Sequence, residues 1–188
     1  MKKIEVIKSK PIIIFKDNID TDILIPKNYL KTTKRKGFEK ALFSPWRYDV
    51  KGEEIKDFPL NIDKNKDRNI LITGDNFGCG SSREHAAWAL IDYGIDIIIA
   101  GGYSPIFYMN YINNNRLPII LDEKYRRELV DDIEIEIDII NKKITQEDRI
   151  YSFEIEDSFR EKLINGEDNI SEILKYEELI SSYEESKI

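Results

Sequence analysis

The chain has 188 residues, 41% hydrophobic and 35% charged, which fits one globular domain, with or without an appended lobe, and excludes a disordered chain. Its 29 Lys and Arg against 36 Asp and Glu leave a net charge of −7, which argues against nucleic acid as the main partner. A single cysteine, Cys79, and a single histidine, His85, exclude a disulfide framework, a thiolate cluster built by this chain alone and a two-His metal site.

The basic N-terminus is followed by no apolar stretch of signal-peptide length. The longest apolar runs, Pro11–Phe15 and Ile97–Ala100, fall far short of the ~20 residues of a spanning helix. A cytoplasmic protein with no membrane contact is the expectation.

In chain order, Ile12–Phe15 reads as a buried strand: short, β-branched and ended by the polar turn Lys16-Asp17-Asn18. Asn18–Pro26 is rich in side chains that bond their own backbone. Lys27–Asp67, broken by Gly37, Pro45, Gly52 and Pro59, reads as a loop-rich excursion with a short helix at Phe38–Leu42. The strand Asn69–Thr73, the loop Gly74–Gly80, the helix Ser82–Tyr93 closed by Gly94 and the strand Ile95–Ala100 form a βαβ unit, so its strands are expected to run parallel. A helix at Pro105–Asn113 and a strand at Leu117–Leu121 follow.

Ile133, Ile135, Ile137 and Ile139 then alternate with acidic residues, the period of a half-buried strand. A turn at Asn141–Lys143 and a returning strand at Ile150–Ile155 predict a hairpin. Helices at Ser158–Ile164, stopped by Asn165-Gly166, and at Ile170–Tyr183 complete the chain. The last carries Ile173, Tyr176, Ile180 and Tyr183 on one face, core or partner-facing.

Chemistry concentrates in Gly74-Asp-Asn-Phe-Gly-Cys-Gly-Ser-Ser-Arg-Glu-His85. Gly78 and Gly80 permit close backbone approach, and Ser81-x-x-Glu84 has capping-box spacing, which would set Ser81 at a helix start. With Arg83 beside it, such a turn suits a small carboxylate or phosphate. A Gly-rich turn with a Ser cap is also how ordinary helices begin, so both readings stand. The string is neither a Walker loop nor a dinucleotide fingerprint. His85 reads as a structural hydrogen-bonder rather than a general base. Cys79, near a helix N-terminus, could have a lowered pKa; as a nucleophile it would need His85. Asp20-Thr-Asp22 suits either metal and hydrogen-bond work or plain turn chemistry. Lys31, Lys34, Arg35 and Lys36 are a solvated face or an anion-binding loop that closes over substrate.

Asn18-x-Asp-Thr-Asp-x-x-x-Pro26 followed by Gly-Cys-Gly-Ser-Ser-Arg-Glu-His85-Ala-x-Trp-Ala-Leu90 resembles the small-subunit family of 3-isopropylmalate dehydratases (isopropylmalate isomerases), itself similar to the aconitase swivel domain. The likeness runs on through Thr33-x-Arg-x-Gly-Phe38, Phe43-x-x-Trp-Arg47, Ile106-Phe-Tyr108, Asn113-Asn114, Leu117-Pro118 and Phe159-Arg160 with Gly166-x-Asp168, nearly the whole chain. It departs at Met109 and Tyr111, where small residues are usual, and at Arg116, which replaces an apolar one.

The resemblance implies a single α/β swivelling domain over 1–188, of β/β/α arrangement, with 128–188 as a C-terminal hairpin and helices that dock on a large subunit. It implies isomerisation of 2- to 3-isopropylmalate by dehydration and rehydration in leucine biosynthesis. In that scheme a [4Fe–4S] cluster held by the large subunit is the Lewis acid, none is bound by this chain, and the small subunit closes the site. Ser81 would be the base, Arg83 a clamp on a carboxylate of the small dicarboxylate substrate, Ser82 an assisting hydrogen-bonder and Asp22 the residue orienting either Arg83 or the serine pair. Arg35 would be a second carboxylate ligand. An apolar wall for the isopropyl group would come from Pro26–Leu30 and Phe38–Phe43. The alternatives are the small subunit of a sister hydro-lyase acting on homoaconitate, citraconate or dimethylmalate, and a non-catalytic binding module.

Overall fold

A computed structural model of the chain describes residues 5–30, 35–166 and 176–185. Its elements in order are β1 (Val6–Ser9), β2 (Pro11–Ile14), α1 (Thr21–Leu24), α2 (Ser44–Arg47), β3 (Ile70–Thr73), α3 (Glu84–Tyr93), β4 (Ile97–Ala100) and α4 (Pro105–Asn113). They continue with β5 (Leu117–Ile120), α5 (Glu123–Arg126), β6 (Ile135–Asp138), β7 (Lys143–Gln146), β8 (Arg149–Ser152), α6 (Asp157–Asn165) and α7 (Glu177–Glu185).

Two four-stranded sheets carry the fold. One is wholly parallel in the order β2-β3-β4-β5, with α3 and α4 as crossovers. The other is antiparallel in the order β1-β6-β7-β8. Alternate residues of the parallel strands enter two different cores. Ile12, Leu71 and Ile98 face Ala86, Leu90, Phe107 and the excursion residues Phe38, Leu42 and Phe43. Ile70, Ile72, Ile97 and Ile99 face Ile135, Ile137, Ile144 and Tyr151 of the antiparallel sheet. A strand buried on both faces shows no alternation, which is why β3 and β4 read as continuous apolar runs. The layers are therefore β/β/α, the arrangement expected.

Several local expectations change. The N-terminal strand β1 was not marked by the sequence; it is an edge strand with half-exposed side chains, paired antiparallel to β6. The predicted hairpin is a three-strand meander. Asn141–Lys143 does not turn into a distant return, because Lys143 already opens β7 and a second turn at Glu147 leads to β8. Both turns take positive φ at Lys142 (55°) and Glu147 (53°), residues that carry no turn signal. The short helix at Phe38–Leu42 is a hydrogen-bonded turn only. Left-handed Phe43 (φ 52°) ends it, and α2 starts after it with Pro45 in its first turn.

The helix at Ser158–Ile164 is α6, ended by left-handed Gly166 (φ 67°). The final helix is described only from Glu177, so Ile170 and Ile173 lie outside the described residues. Tyr176, Leu179, Ile180 and Tyr183 are exposed. No helix among the described residues is long and apolar enough to cross a membrane.

Candidate active site

The site lies where the parallel strands end. Beyond β2 and β3 the chain forms two loops, 15–20 and 74–83, that bond each other rung by rung. Asn18 N–H donates to the Asp75 carbonyl (2.8 Å), Gly78 N–H to Ile19 (2.7 Å) and Thr21 N–H to Cys79 (2.9 Å). The Thr21 hydroxyl then donates to the Ser81 carbonyl at 2.8 Å. Gly78 (φ +72°) packs against Phe107 where a Cβ would collide, so this rung requires glycine.

At the end of the ladder Arg83 meets Asp22. Its two Nη atoms donate to Oδ1 at 2.6 Å and Oδ2 at 3.0 Å, and Nη1 also reaches the Ile25 carbonyl at 3.3 Å. The Arg83 side chain is 8% exposed, that of Asp22 52%. The Asp22 carboxyl is held below the usual carboxylate range by the hydrogen bond from Arg83, opposed by partial desolvation and helped by the charges of Arg83 and Lys27. A guanidinium with two Nη atoms on one carboxylate still retains N–H donors for another anion.

Ser81 and Ser82 are exposed beside this pair, and Ser81 is fixed by its carbonyl rather than its hydroxyl. The capping box does not form. Arg83 is extended (φ −132°, ψ 110°) and is itself the N-cap of α3, without a side-chain cap bond, so Glu84 is the first helical residue instead of the third. Ser81 therefore precedes the helix by a short extended segment and does not cap it.

The Cys79 thiol shifts in the opposite sense to that expected. It is pushed above its ordinary pKa by burial and by the nearby Asp20 carboxylate, and α3 starts too far along the chain for its dipole to oppose them. His85 is half-buried and packs on aromatic rings, edge-on to Phe38 (5.4 Å) and against Trp88 (4.6 Å). Asp20 caps α1 by accepting Ile23 N–H at 2.8 Å, the turn chemistry weighed above.

Of the cationic cluster, Lys31 and Lys34 lie outside the described residues. Arg35 stacks its guanidinium on Trp88 of α3 (5.5 Å) and shares no hydrogen bond or ion pair with Asp22 or Arg83 among the described residues. Its loop is pinned to α3 by Asp92, which accepts the N–H groups of Gly37 (2.7 Å) and Phe38 (2.9 Å). The apolar wall is halved: Phe38, Leu42 and Phe43 are consumed by the core, leaving Pro26–Leu30, where Tyr29 is partly exposed. Pro26 and Tyr29 line a cavity of about 880 Å³ with Tyr48 and Val50, and neither Ser81, Asp22 nor Arg83 lines it. Thr21 and Asp75, which set the loops, lie inside the Asp20-Thr-Asp22 and Gly74–His85 strings, where no local signal distinguishes them.

The departures at Tyr111 and Arg116 sit at the opposite end of the sheet. Tyr111 is fully buried with its hydroxyl on the Ile95 carbonyl (2.9 Å), and Arg116 pairs with Asp96 (3.1 Å). Met109 is half-exposed on α4.

The profile of the aconitase C-terminal domain family matches residues 1–124. The chain is 50% identical over 187 residues to a 3-isopropylmalate dehydratase small subunit of Bacillus thuringiensis subsp. konkukian, covering 98% of this chain and 97% of the relative. It is equally similar to the 3-isopropylmalate dehydratase small subunit of Staphylococcus aureus strain Newman, 50% over 186 residues with 99% and 98% covered.

The chain belongs to the 3-isopropylmalate dehydratase small-subunit family.

A solved 3-isopropylmalate dehydratase structure from Methanocaldococcus jannaschii superposes with a TM-score of 0.69 at 28% identity, covering 95% of this chain and 99% of that one. Among the described residues no three His, Cys, Asp or Glu side chains converge as metal ligands, and the lone cysteine faces Asp20. These residues do not suit an iron–sulfur cluster, which needs several thiolates.

Proposed function

We propose that the chain is the small subunit of a heteromeric hydro-lyase that isomerises 2-isopropylmalate to 3-isopropylmalate through an alkene. The carrying observation is its full-length likeness, at half identity, to relatives named as that subunit. The geometry supports the same reading. Ser81 and Ser82 lie exposed at the sheet's end beside a buried, fixed guanidinium, an arrangement that a second chain could cover.

In this reading Arg83, immobilised by Asp22, holds a substrate carboxylate with its remaining N–H donors. Ser81 removes the carbon-bound proton and returns it to the same intermediate. The nearby Arg83 charge supplies the positive potential a transient alkoxide needs. Ser82 adds a hydrogen bond, and Arg35 binds the second carboxylate after leaving Trp88. A [4Fe–4S] cluster on the large subunit would act as Lewis acid at the leaving hydroxyl. The exposed residues Leu179 and Ile180 of α7 would dock on that subunit. The work is cytoplasmic.

The test is reconstitution. The chain is mixed anaerobically with a cluster-loaded large subunit, and alkene absorbance is followed with 2-isopropylmalate. Turnover that requires both chains is the expected result. Association without turnover would move the substrate to a sister hydro-lyase, and no association would favour a non-catalytic module.

A further inference from the structure

Arg126, at the end of α5, is among the largest fully buried side chains of the described residues, at 2% exposure. It plugs the C-terminal edge of the parallel sheet. Nε donates to the Leu121 carbonyl beyond β5 (2.8 Å), Nη1 to the Thr73 carbonyl at the end of β3 (2.5 Å), and Nη2 to the Asp75 carboxylate. Phe15, beyond β2, lies against its guanidinium (5.3 Å). At Gly101, beyond β4, any Cβ would collide with the Asp75–Arg126 pair.

Asp75 is where the two site loops cross. Its N–H donates to Asp17 Oδ1 (2.7 Å), its carbonyl accepts Asn18 N–H (2.8 Å), and its carboxylate takes Arg126. From there the rungs lead through Ile19–Gly78 and Thr21–Cys79 to Thr21–Ser81 and Asp22–Arg83. A shift of Asp75 therefore moves the Asp22 loop relative to the Ser81 loop. Two of the three Arg126 bonds are to sheet-edge carbonyls and serve packing alone. The third is spent on a carboxylate whose side chain is 59% exposed and whose burial cannot explain it.

We propose that Asp75, anchored by Arg126, is a positioning residue that sets the spacing between the Asp22-bearing and Ser81-bearing loops. It touches no substrate; its effect reaches the reaction through Arg83 and Ser81, and so rests on the isomerase reading above.

Asp75 variants test this without disturbing the two carbonyl bonds of Arg126. Full-length Asp75→Ala, reconstituted with the cluster-loaded large subunit, should lose about tenfold to a hundredfold in kcat with KM changed by less than about threefold. Its melting temperature should stay within a few degrees of wild type, and its amides at 18–22 and 77–83 should exchange hydrogen faster. Asp75→Asn keeps an oxygen for Arg126 and should retain at least about a third of the wild-type kcat. A kcat within twofold of wild type in Asp75→Ala, or a loss seen only in KM, overturns the proposal; so does an Asn variant no better than Ala. If the wild-type pair turns nothing over, the isomerase reading falls. Exchange in the isolated full chain then decides alone, and unchanged rates in Asp75→Ala overturn the proposal.

Discussion

The two ends of the parallel sheet use the same device for different purposes. At the N-terminal end the buried Arg68 donates to the Pro11 and Asp131 carbonyls (both 2.7 Å) and to Asp132 (3.0 Å). Around it, Arg116 pairs with Asp96 and Tyr111 bonds Ile95, so this end is covered by side chains of the fold itself, although the Nε atoms of Arg68 and Arg116 are buried without a hydrogen-bond partner among the described residues. At the C-terminal end Arg126 gathers carbonyls in the same way, yet the loops it anchors leave Ser81, Ser82 and part of Asp22 in solvent. A buried guanidinium closes one end and organises an open surface at the other. The asymmetry follows from parallel topology, which sends every strand's C-terminal end into a loop on the same side.

That contrast can be broken or sharpened by substitution. The largest effect is expected at the open end: Ser81→Ala should lower kcat by about a thousandfold or more while the subunits still co-elute on size exclusion. Near-normal turnover would mean the proton is carried by another group. Arg83→Lys should raise KM by about tenfold or more, because an ammonium cannot hold two carboxylates by parallel N–H pairs. It also carries a pH signature. The wild-type Asp22 carboxyl is held low, so its contribution to the folded pair is complete above the ordinary carboxylate pKa. That contribution is lost only as pH falls through the lowered value. Carboxyl NMR titration should show Asp22 ionising below the ordinary carboxylate range, and a return toward that range in Arg83→Lys.

At the closed end Arg68→Met should destabilise the chain by about 2–3 kcal/mol in urea unfolding, by stranding two buried carbonyls, with kcat unchanged. A kcat loss without a stability loss would erase the distinction between the ends. The smallest effect is reserved for Cys79→Ala, which should stay within about twofold of wild-type kcat, since a thiol with a raised pKa stays protonated at neutral pH.

The parallel strands, their helices and the Gly-Cys-Gly-Ser-Ser-Arg string were legible because each rests on local pattern. Continuous apolar runs mark strands buried on two faces, and Gly94 and Gly166 mark helix ends. What was misread depended on partners distant in sequence. The spacing of Ser81 and Glu84 is that of a capping box, but Thr21, sixty residues earlier, takes the Ser81 carbonyl and Arg83 turns to Asp22. The apolar stretch Phe38–Phe43 looked available to a ligand, yet the core occupies it. β1 and β7 carry no continuous apolar run; β1 gains its identity by pairing with β6, and β7 by pairing with β6 and β8.

By itself, then, the sequence determined the fold class, the family and the residue types at the candidate site, because periodicity, glycine placement and motif strings are short-range properties. The tertiary structure alone decided that Arg83 is already paired with Asp22, that Arg35 rests on Trp88, and that a buried Arg126 reaches Asp75. Those are long-range hydrogen bonds and ion pairs, chosen by which loops the sheet brings together, and no local pattern of residues encodes them.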